Sequence, residues 1–175
     1  MTAGMRIDAV TRAVTRFAID VGAPYEEFRA RYERAVPDYP AEEFGELMER
    51  GAAWREVLEL TDRSAPHGFM IYWRYDAHTM MRLAGDRFRC TEYLMGNHVI
   101  AERMFRHDPA VMLYAPLRTA ICEGADGVTR LVFDRPSSGF GSFGIPEVAS
   151  VGLELDRKVA VLLRALSVPV PATLT

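Results

Sequence analysis

The last third of the chain contains a long amphipathic pattern that a single helix explains. Pro146 suits the first turn of a helix, and Glu147 complements the positive end of the helix dipole. Apolar residues then recur at helical spacing: Val148, Val151, Leu155, Val159, Leu162, Leu163 and Leu166. The opposite face holds Glu154, Arg157, Lys158 and Arg164. An apolar stripe of this length has to be buried, so we expect this helix to cover a sheet.

Five segments show the alternation or the β-branched and aromatic content of strands. They are residues 9–19, 68–75, 88–95, 117–123 and 128–134. A Gly-Ala-Asp-Gly turn joins the last two segments into a hairpin. Strands joined in this way, with helices grouped between them, predict an α+β fold. The expected architecture is an antiparallel sheet of about five strands that is covered by the C-terminal helix.

Shorter helical patterns fill the stretches between the strands. One helix begins at Pro24 and ends before Pro37 and Pro40, and a second helical passage runs from Ala41 to about Asp62. Gly51 offers a point at which that passage divides. A short helix is expected after Asp76, and a further one covers residues 98–106. By contrast, the glycine-rich segment 135–144 is predicted to be a flexible loop.

Composition narrows the class of protein. A length of 175 residues fits a single domain, with a core of residues 9–166 and a C-terminal tail of residues 167–175. The net charge is -3, which argues against a nucleic-acid partner. There is no apolar run of about 20 residues, so no membrane span is expected. The N-terminal segment does not resemble a signal peptide. We therefore expect a cytoplasmic protein.

The two cysteines are predicted to be free thiols. Cys90 and Cys122 are far apart in the chain and form no C-x-x-C spacing. A free cysteine behaves as a small apolar residue and is often buried. No disulfide is expected from this pattern.

The start of the predicted helix 98–106 provides one group of candidate site residues. Asn97 can cap this helix with its side-chain oxygen. His98 has an ordinary pKa near neutrality and is the best candidate for proton transfer. Glu102 lies one turn later on the same face, so His98 and Glu102 form a possible catalytic acid-base pair. Plain capping, with a solvated or hydrogen-bonded histidine, is the alternative. No third metal-ligating side chain lies at a sequence spacing typical of metal sites, so no metal site is expected.

A second group of candidates lies at the end of the predicted hairpin. Arg118 could grip a carboxylate or phosphate with its forked guanidinium, with Asp134 orienting it. The alternative for Arg118 is a structural ion pair with Asp134 or Glu123. The following segment offers Ser137, Ser138 and backbone amides, which could close over a ligand or bind an anion.

These residues favour the binding of a small anionic or amphipathic molecule near Asn97, Arg118 and the segment 135–144. An enzyme using His98 and Glu102 is one alternative, and a non-catalytic dimeric interaction module is another. The many methionine and aromatic side chains would also suit a flat apolar ligand such as haem, with His98 as its axial ligand. The cofactor, if there is one, is unknown from the sequence.

Several motifs in fixed order resemble the domain of unknown function 302 family. They are YLMGN (93–97), IAERMFRHDP (100–109), LYAPLR (113–118), DRPSS (134–138), FG (143–144) and LDRK (155–158). The resemblance runs from about Gly68 to Leu166. It implies a fold like that of the TATA-box-binding protein, with strand, helix, four strands and helix, and it implies a homodimer. It does not imply DNA binding.

The chain departs from the family pattern in two places. Many members have Asn-Pro where this chain has Asn97 and His98. The passage from Pro37 to Ala65 is longer than the minimal pattern, which implies extra helices after the first one.

Overall fold

The computed structural model describes residues 4–175, and within them five strands form one antiparallel sheet. The strands are β1 (Arg16–Asp20), β2 (Met70–Asp76), β3 (Arg89–Gly96), β4 (Leu117–Glu123) and β5 (Thr129–Asp134). Their order across the sheet is β1-β5-β4-β3-β2. Residues 1–3, part of the N-terminal segment in which no signal peptide is expected, lie outside the described residues. The predicted antiparallel sheet is confirmed.

The helices lie between the strands and after the last one. They are α1 (Tyr25–Ala35), α2 (Ala41–Glu49), α3 (Trp54–Ser64), α4 (Ala77–Met81), α5 (His98–Phe105), α6 (Pro136–Phe140) and α7 (Pro146–Ala165). The long C-terminal helix is thus confirmed, as is the division of the second passage near Gly51. Within residues 4–175, no helix combines the length and the apolar character that a membrane crossing requires.

One face of the sheet forms the core with α1 and α7. Buried side chains of the strands, such as Tyr93 and Ile121, belong to one apolar cluster with Phe28 of α1 and Leu155 of α7. Two buried tyrosines of α1 also bond to threonines of the sheet: Tyr25 to Thr91 and Tyr32 to Thr119, at O–O distances of 2.5 and 2.8 Å. Buried hydroxyl groups of this kind need partners, so these bonds fix the position of α1 on the sheet. The fold class is α+β.

The helices α2 and α3 form a separate small cluster at the edge of the sheet. Its buried members are Phe44, Leu60, Ala65 and Met70, and Tyr39 and Tyr72 pack against them. Tyr39 stacks between two of these aromatic rings, at centroid distances of 4.8 Å to Phe44 and 4.7 Å to Tyr72. The extra helices implied by the long passage are therefore present, and they pack beside β2.

The prediction of a strand over residues 9–19 is wrong in its first half. The first strand spans only Arg16–Asp20, whereas residues 9–15 lie outside regular structure. The alternation in residues 9–15 does not become a strand because β5 ends at Asp134, which pairs with Arg16 at the end of the ladder. At the other end of the chain, Val168 and Leu174 of the predicted tail 167–175 are buried in the main apolar cluster.

The prediction of a flexible loop at residues 135–144 is also wrong. Residues 136–140 form α6, a short 3-10 helix follows at Gly141–Phe143, and Phe140 is fully buried. Here glycine provides close packing: a Cβ at Gly152 of α7 would lie 3.0 Å from Cβ of Phe140 and 3.2 Å from Cα of Ser137. Gly152 therefore lets α6 pack tightly against α7, and within the segment itself a Cβ at Gly139 would lie 3.1 Å from Cγ of Tyr114.

The role of α7 as a cover can be tested with two leucines of that helix. Leu155 is 5% exposed, whereas Leu153 is 44% exposed. We expect Leu155→Ala to lower the free energy of unfolding by about 2–5 kcal/mol, because it leaves a cavity. Leu153→Ala should change it by only about 0.5 kcal/mol. Denaturant titration measures both values, and equal small losses would contradict this packing.

Candidate functional site

Asn97 caps the helix α5, as predicted. Its side-chain oxygen accepts hydrogen bonds from the backbone N–H groups of Val99 and Ile100 at 2.9 and 3.3 Å. Its amide nitrogen donates to the carbonyl oxygen of Gly68 at 3.2 Å. Asn97 therefore joins the start of α5 to the loop before β2, and its polar atoms serve the fold.

His98 lies between α5 and the small cluster formed by α2 and α3. Its Nδ1 is 2.8 Å from the hydroxyl of Tyr72, and its Nε2 is 3.3 Å from the hydroxyl of Thr61. The rings of Tyr39 and Phe44 meet the imidazole edge to face. Burial lowers the pKa of His98, so the imidazole is neutral near pH 7. Both ring nitrogens thus have partners within the protein: Thr61 links α5 to α3, and Tyr72 links it to β2.

Glu102 does not form a pair with His98 in this structure. Its carboxylate contacts the guanidinium of Arg106 at 2.5–3.0 Å in an i, i+4 ion pair on the exposed side of α5. The hydrogen bonds of His98 go instead to Thr61 and Tyr72. The geometry thus separates the two residues of the predicted acid-base pair.

Arg118 and Asp134 are neighbours at the end of the β4–β5 ladder, one residue beyond the pair Thr119 and Phe133. They have different ion-pair partners. The Nε of Arg118 is 2.9 Å from a carboxylate oxygen of Glu92 on β3, and Asp134 lies 4.0 Å from Arg16 on β1. Asp134 therefore does not orient Arg118. The Arg118 side chain is 75% exposed, so a solute can reach it.

Ser137 is held by a buried carboxylate that the sequence analysis did not select. Asp156 on α7 is 2% exposed and accepts hydrogen bonds from both the amide and the hydroxyl of Ser137, at 2.9 and 2.7 Å. It also accepts from Nε of Arg135 at 2.7 Å. The donors of Ser137 are therefore occupied within the protein. The carbonyl oxygen of Ser138 accepts a bond from Arg12 at 3.1 Å.

A cleft of about 400 Å³ lies where β4 begins and β5 ends. Its charged lining residues are Arg12, Arg118, Asp134 and Arg135. Its apolar wall includes Tyr114, over whose ring the guanidinium of Arg12 stacks at 4.4 Å from the centroid. The cleft brings Arg118 and Asp134 together with the segment that begins at Arg135.

An apolar cavity of about 250 Å³ adjoins this cleft. Asn97 and His98 lie at its lining, together with core side chains such as Met104 and Leu155. The cavity and the cleft share the lining residues Met112, Ala115, Pro116, Leu117 and Phe140. Arg118 and Asp134 therefore line the cleft, Asn97 and His98 line the cavity, and the segment 115–117 and Phe140 border both spaces. Glu102, Ser137 and Ser138 line neither of them.

A haem at His98 would compete with the hydrogen bonds that this residue makes. Among residues 4–175, no three His, Cys, Asp or Glu side chains are grouped closely enough to hold a metal ion. His98 could ligate a haem iron only by giving up its bond to Thr61 or to Tyr72.

Comparison with known proteins places the chain in a family. A family model described as "Domain of unknown function DUF302" matches residues 55–166, more than half of the sequence. The chain belongs to the DUF302 family. A search of curated proteins gives no match. The fold is similar to the crystal structure of an uncharacterized conserved DUF302 protein from Bacillus stearothermophilus, with 14% sequence identity and a TM-score of 0.60. That match covers 87% of this chain and 97% of the other.

The DUF302 region includes most of the site. Arg118, Arg135 and Asp156 lie inside residues 55–166, whereas Arg12 lies outside them. Arg135 lies in the motif DRPSS and Asp156 lies in the motif LDRK. Their presence in two family motifs was the one signal in the sequence that could have pointed to this contact. Sequence reasoning missed it because nothing in the two motifs shows that they touch. Arg12 had no such signal.

The Asp156 network can be tested with a pair of aspartates. Asp156→Asn would leave Arg135 without its counter-charge, and we expect the free energy of unfolding to fall by about 2–4 kcal/mol. Asp134→Asn is the control, because Asp134 is 59% exposed and only weakly paired, and it should cost about 0.5 kcal/mol or less. Urea titration of the two variants gives the comparison. A similar small loss in both would show that the network is unimportant.

Proposed function

We propose that this DUF302 protein binds a small amphipathic anion. The acidic headgroup would lie beside Arg118 in the cleft, and the apolar body would extend into the cavity lined by Met104 and Met112. The observation that supports this most strongly is the pairing of a cationic cleft with an apolar cavity through shared lining residues. Pockets with an apolar body and a few placed polar groups are typical of small-molecule sites.

The charge of the cleft differs in sign from that of the whole chain. Three arginines and one aspartate line the cleft, whereas the chain as a whole has a net charge of -3. A local excess of positive charge in a concave site attracts anions and raises their local concentration. The headgroup is therefore expected to be a carboxylate or a phosphate.

Arg118 is the residue best placed to bind that headgroup. Its ion pair with Glu92 joins a largely exposed guanidinium to a partly buried carboxylate, and pairs at the surface contribute only about 0–1 kcal/mol. Exchange of Glu92 for a ligand anion would therefore cost little. The planar guanidinium can donate two parallel hydrogen bonds to one carboxylate or phosphate. Arg12 and Arg135 already bond to Ser138 and Asp156, so they are held in place as walls of the cleft.

The geometry favours binding over acid-base catalysis. His98 uses both ring nitrogens on hydroxyl groups, and Glu102 is paired with Arg106. A general base must reach the proton that it removes, and these contacts direct both groups elsewhere. His98 and Asn97 would then contribute a polar rim to the apolar cavity.

The cytoplasm remains the predicted location of the protein.

Decanoate is a suitable probe, because it combines a carboxylate with an apolar chain. We expect it to bind the wild type, and to bind Arg118→Lys with an affinity lower by about 1–3 kcal/mol, or roughly 5- to 150-fold in Kd. Lysine keeps the charge but loses the forked donors. Isothermal titration calorimetry measures the two affinities.

Arg157→Lys is the matched control, since Arg157 lies on the exposed side of α7. This variant should bind decanoate as the wild type does, and decanol, which lacks the anionic headgroup, should bind all three proteins equally. Equal affinities of wild type and Arg118→Lys would remove Arg118 from the site. Failure of decanoate to bind the wild type would contradict the proposed function.

A dimer interface is a second candidate function. The edge strand β2 favours it, on the face of the sheet away from α1 and α7. Trp73 and Tyr75 stack there at a centroid distance of 5.6 Å, and they are 44% and 39% exposed. Exposed aromatic pairs of this kind are common in protein interfaces. The proposed partner is a second copy of the chain, in keeping with the homodimer that the family resemblance implies.

Light scattering at tens of micromolar protein tests the dimer. We expect twice the monomer mass for the wild type and the monomer mass for Trp73→Ser. Trp54→Ser is the control, because Trp54 has a similar exposure but lies at the start of α3. A monomeric wild type would refute the dimer, and a dimeric Trp73→Ser would exclude this face as its interface.

A further inference from the structure

The two cysteines of the chain lie directly opposite each other on neighbouring strands. In the antiparallel register of β3 and β4, Cys90 pairs with Cys122. Their sulfur atoms are 3.5 Å apart, and the thiol of Cys122 donates to the sulfur of Cys90. The sequence predicted two free thiols, and both are free in the structure. It gave no sign that they would meet, because 31 residues separate them along the chain.

The pair lies on the sheet face opposite α1 and α7. The residues next to it in each strand, Thr91 and Ile121, are fully buried in the core. Because side chains alternate between the two faces of a strand, both cysteines point to the other face. Cys90 and Cys122 are partly exposed there. A small reagent can therefore reach the sulfur atoms without opening the core.

The backbone geometry allows a bond between them. Directly opposed residues of antiparallel strands have Cα atoms roughly 4.5–5.5 Å apart, which falls within the range of about 4.4–6.8 Å for disulfides. The sulfur atoms would have to approach from 3.5 Å to about 2.05 Å, and side-chain rotation alone can provide this. The sheet does not need to change its register.

We propose that Cys90 and Cys122 form a thiol–disulfide exchange site whose substrate is a small organic disulfide. The thiolate of Cys90 attacks one sulfur of the substrate, its S–S bond breaks, and one thiolate leaves while the other half stays on Cys90. Cys122 then loses its proton and attacks the sulfur of Cys90, which expels the second thiolate. Two protein thiols and one small disulfide thus give one protein disulfide and two small thiols.

The environment makes the two thiols unequal. The hydrogen bond donated by Cys122 lowers the pKa of Cys90 to about 7. The same contact, together with burial, raises the pKa of Cys122. A thiolate is the attacking species, so Cys90 is the residue expected to react first and Cys122 the residue expected to resolve the mixed disulfide.

Glutathione provides the test. Wild-type protein is reduced, equilibrated with oxidised glutathione at pH 7, quenched with acid, alkylated with iodoacetamide in denaturant and weighed by mass spectrometry. We expect a single chain that is two hydrogens lighter than the reduced protein, with no glutathione attached and no alkylated thiol. Excess reduced glutathione should restore two alkylatable thiols. With only two cysteines in the chain, the masses have one interpretation.

Two single variants separate the steps. Cys122→Ser should stop at the mixed disulfide and keep one glutathione on Cys90, because a serine hydroxyl can donate a hydrogen bond but cannot resolve the intermediate. Cys90→Ser should acquire glutathione several-fold more slowly than Cys122→Ser. Wild-type protein that keeps both thiols, retains bound glutathione or forms linked chains would overturn the proposal. Equal rates for the two variants would overturn the assignment of Cys90 as the attacking residue.

Discussion

The candidate site depends on the contacts of one buried carboxylate, that of Asp156. It lies on the inward side of α7 and accepts hydrogen bonds from Arg135 and Ser137, just beyond the end of β5. A buried charge is stable only when it is paired and hydrogen-bonded, and these donors satisfy that need. They also hold α6 against α7, so that Phe140 forms a wall shared by the cationic cleft and the apolar cavity.

The same contact decides which groups remain available to a ligand. Ser137 is the obvious anion-binding residue of its segment, but its amide and hydroxyl both serve Asp156. Recognition of an anion therefore falls to Arg118, which is 75% exposed and pairs at the surface with the partly buried Glu92. The buried network of Asp156 fixes the shape of the cleft. The ion pair of Arg118 with Glu92 can be replaced by a ligand anion.

The sequence predicted the parts of this fold that follow from local periodicity. The stripe of α7, the hairpin of β4 and β5, and the cap at Asn97 each depend on a few neighbouring residues. The contacts that it missed depend on register and on packing between distant segments. Examples are the pairing of Arg118 with Glu92, the meeting of Cys90 with Cys122, and the close approach that makes the segment after Arg135 a helix.

We propose that one ligand occupies both the cleft and the apolar cavity. Methionine methyl NMR during a decanoate titration tests it directly, because Met112 lines both spaces, Met104 lines only the cavity, and Met48 lies exposed on α2. We expect saturating shifts of the Met112 and Met104 methyl signals at the same decanoate concentration, with no shift of Met48. Unchanged Met104 and Met112 signals at saturating decanoate, or equal shifts of all three, would contradict it.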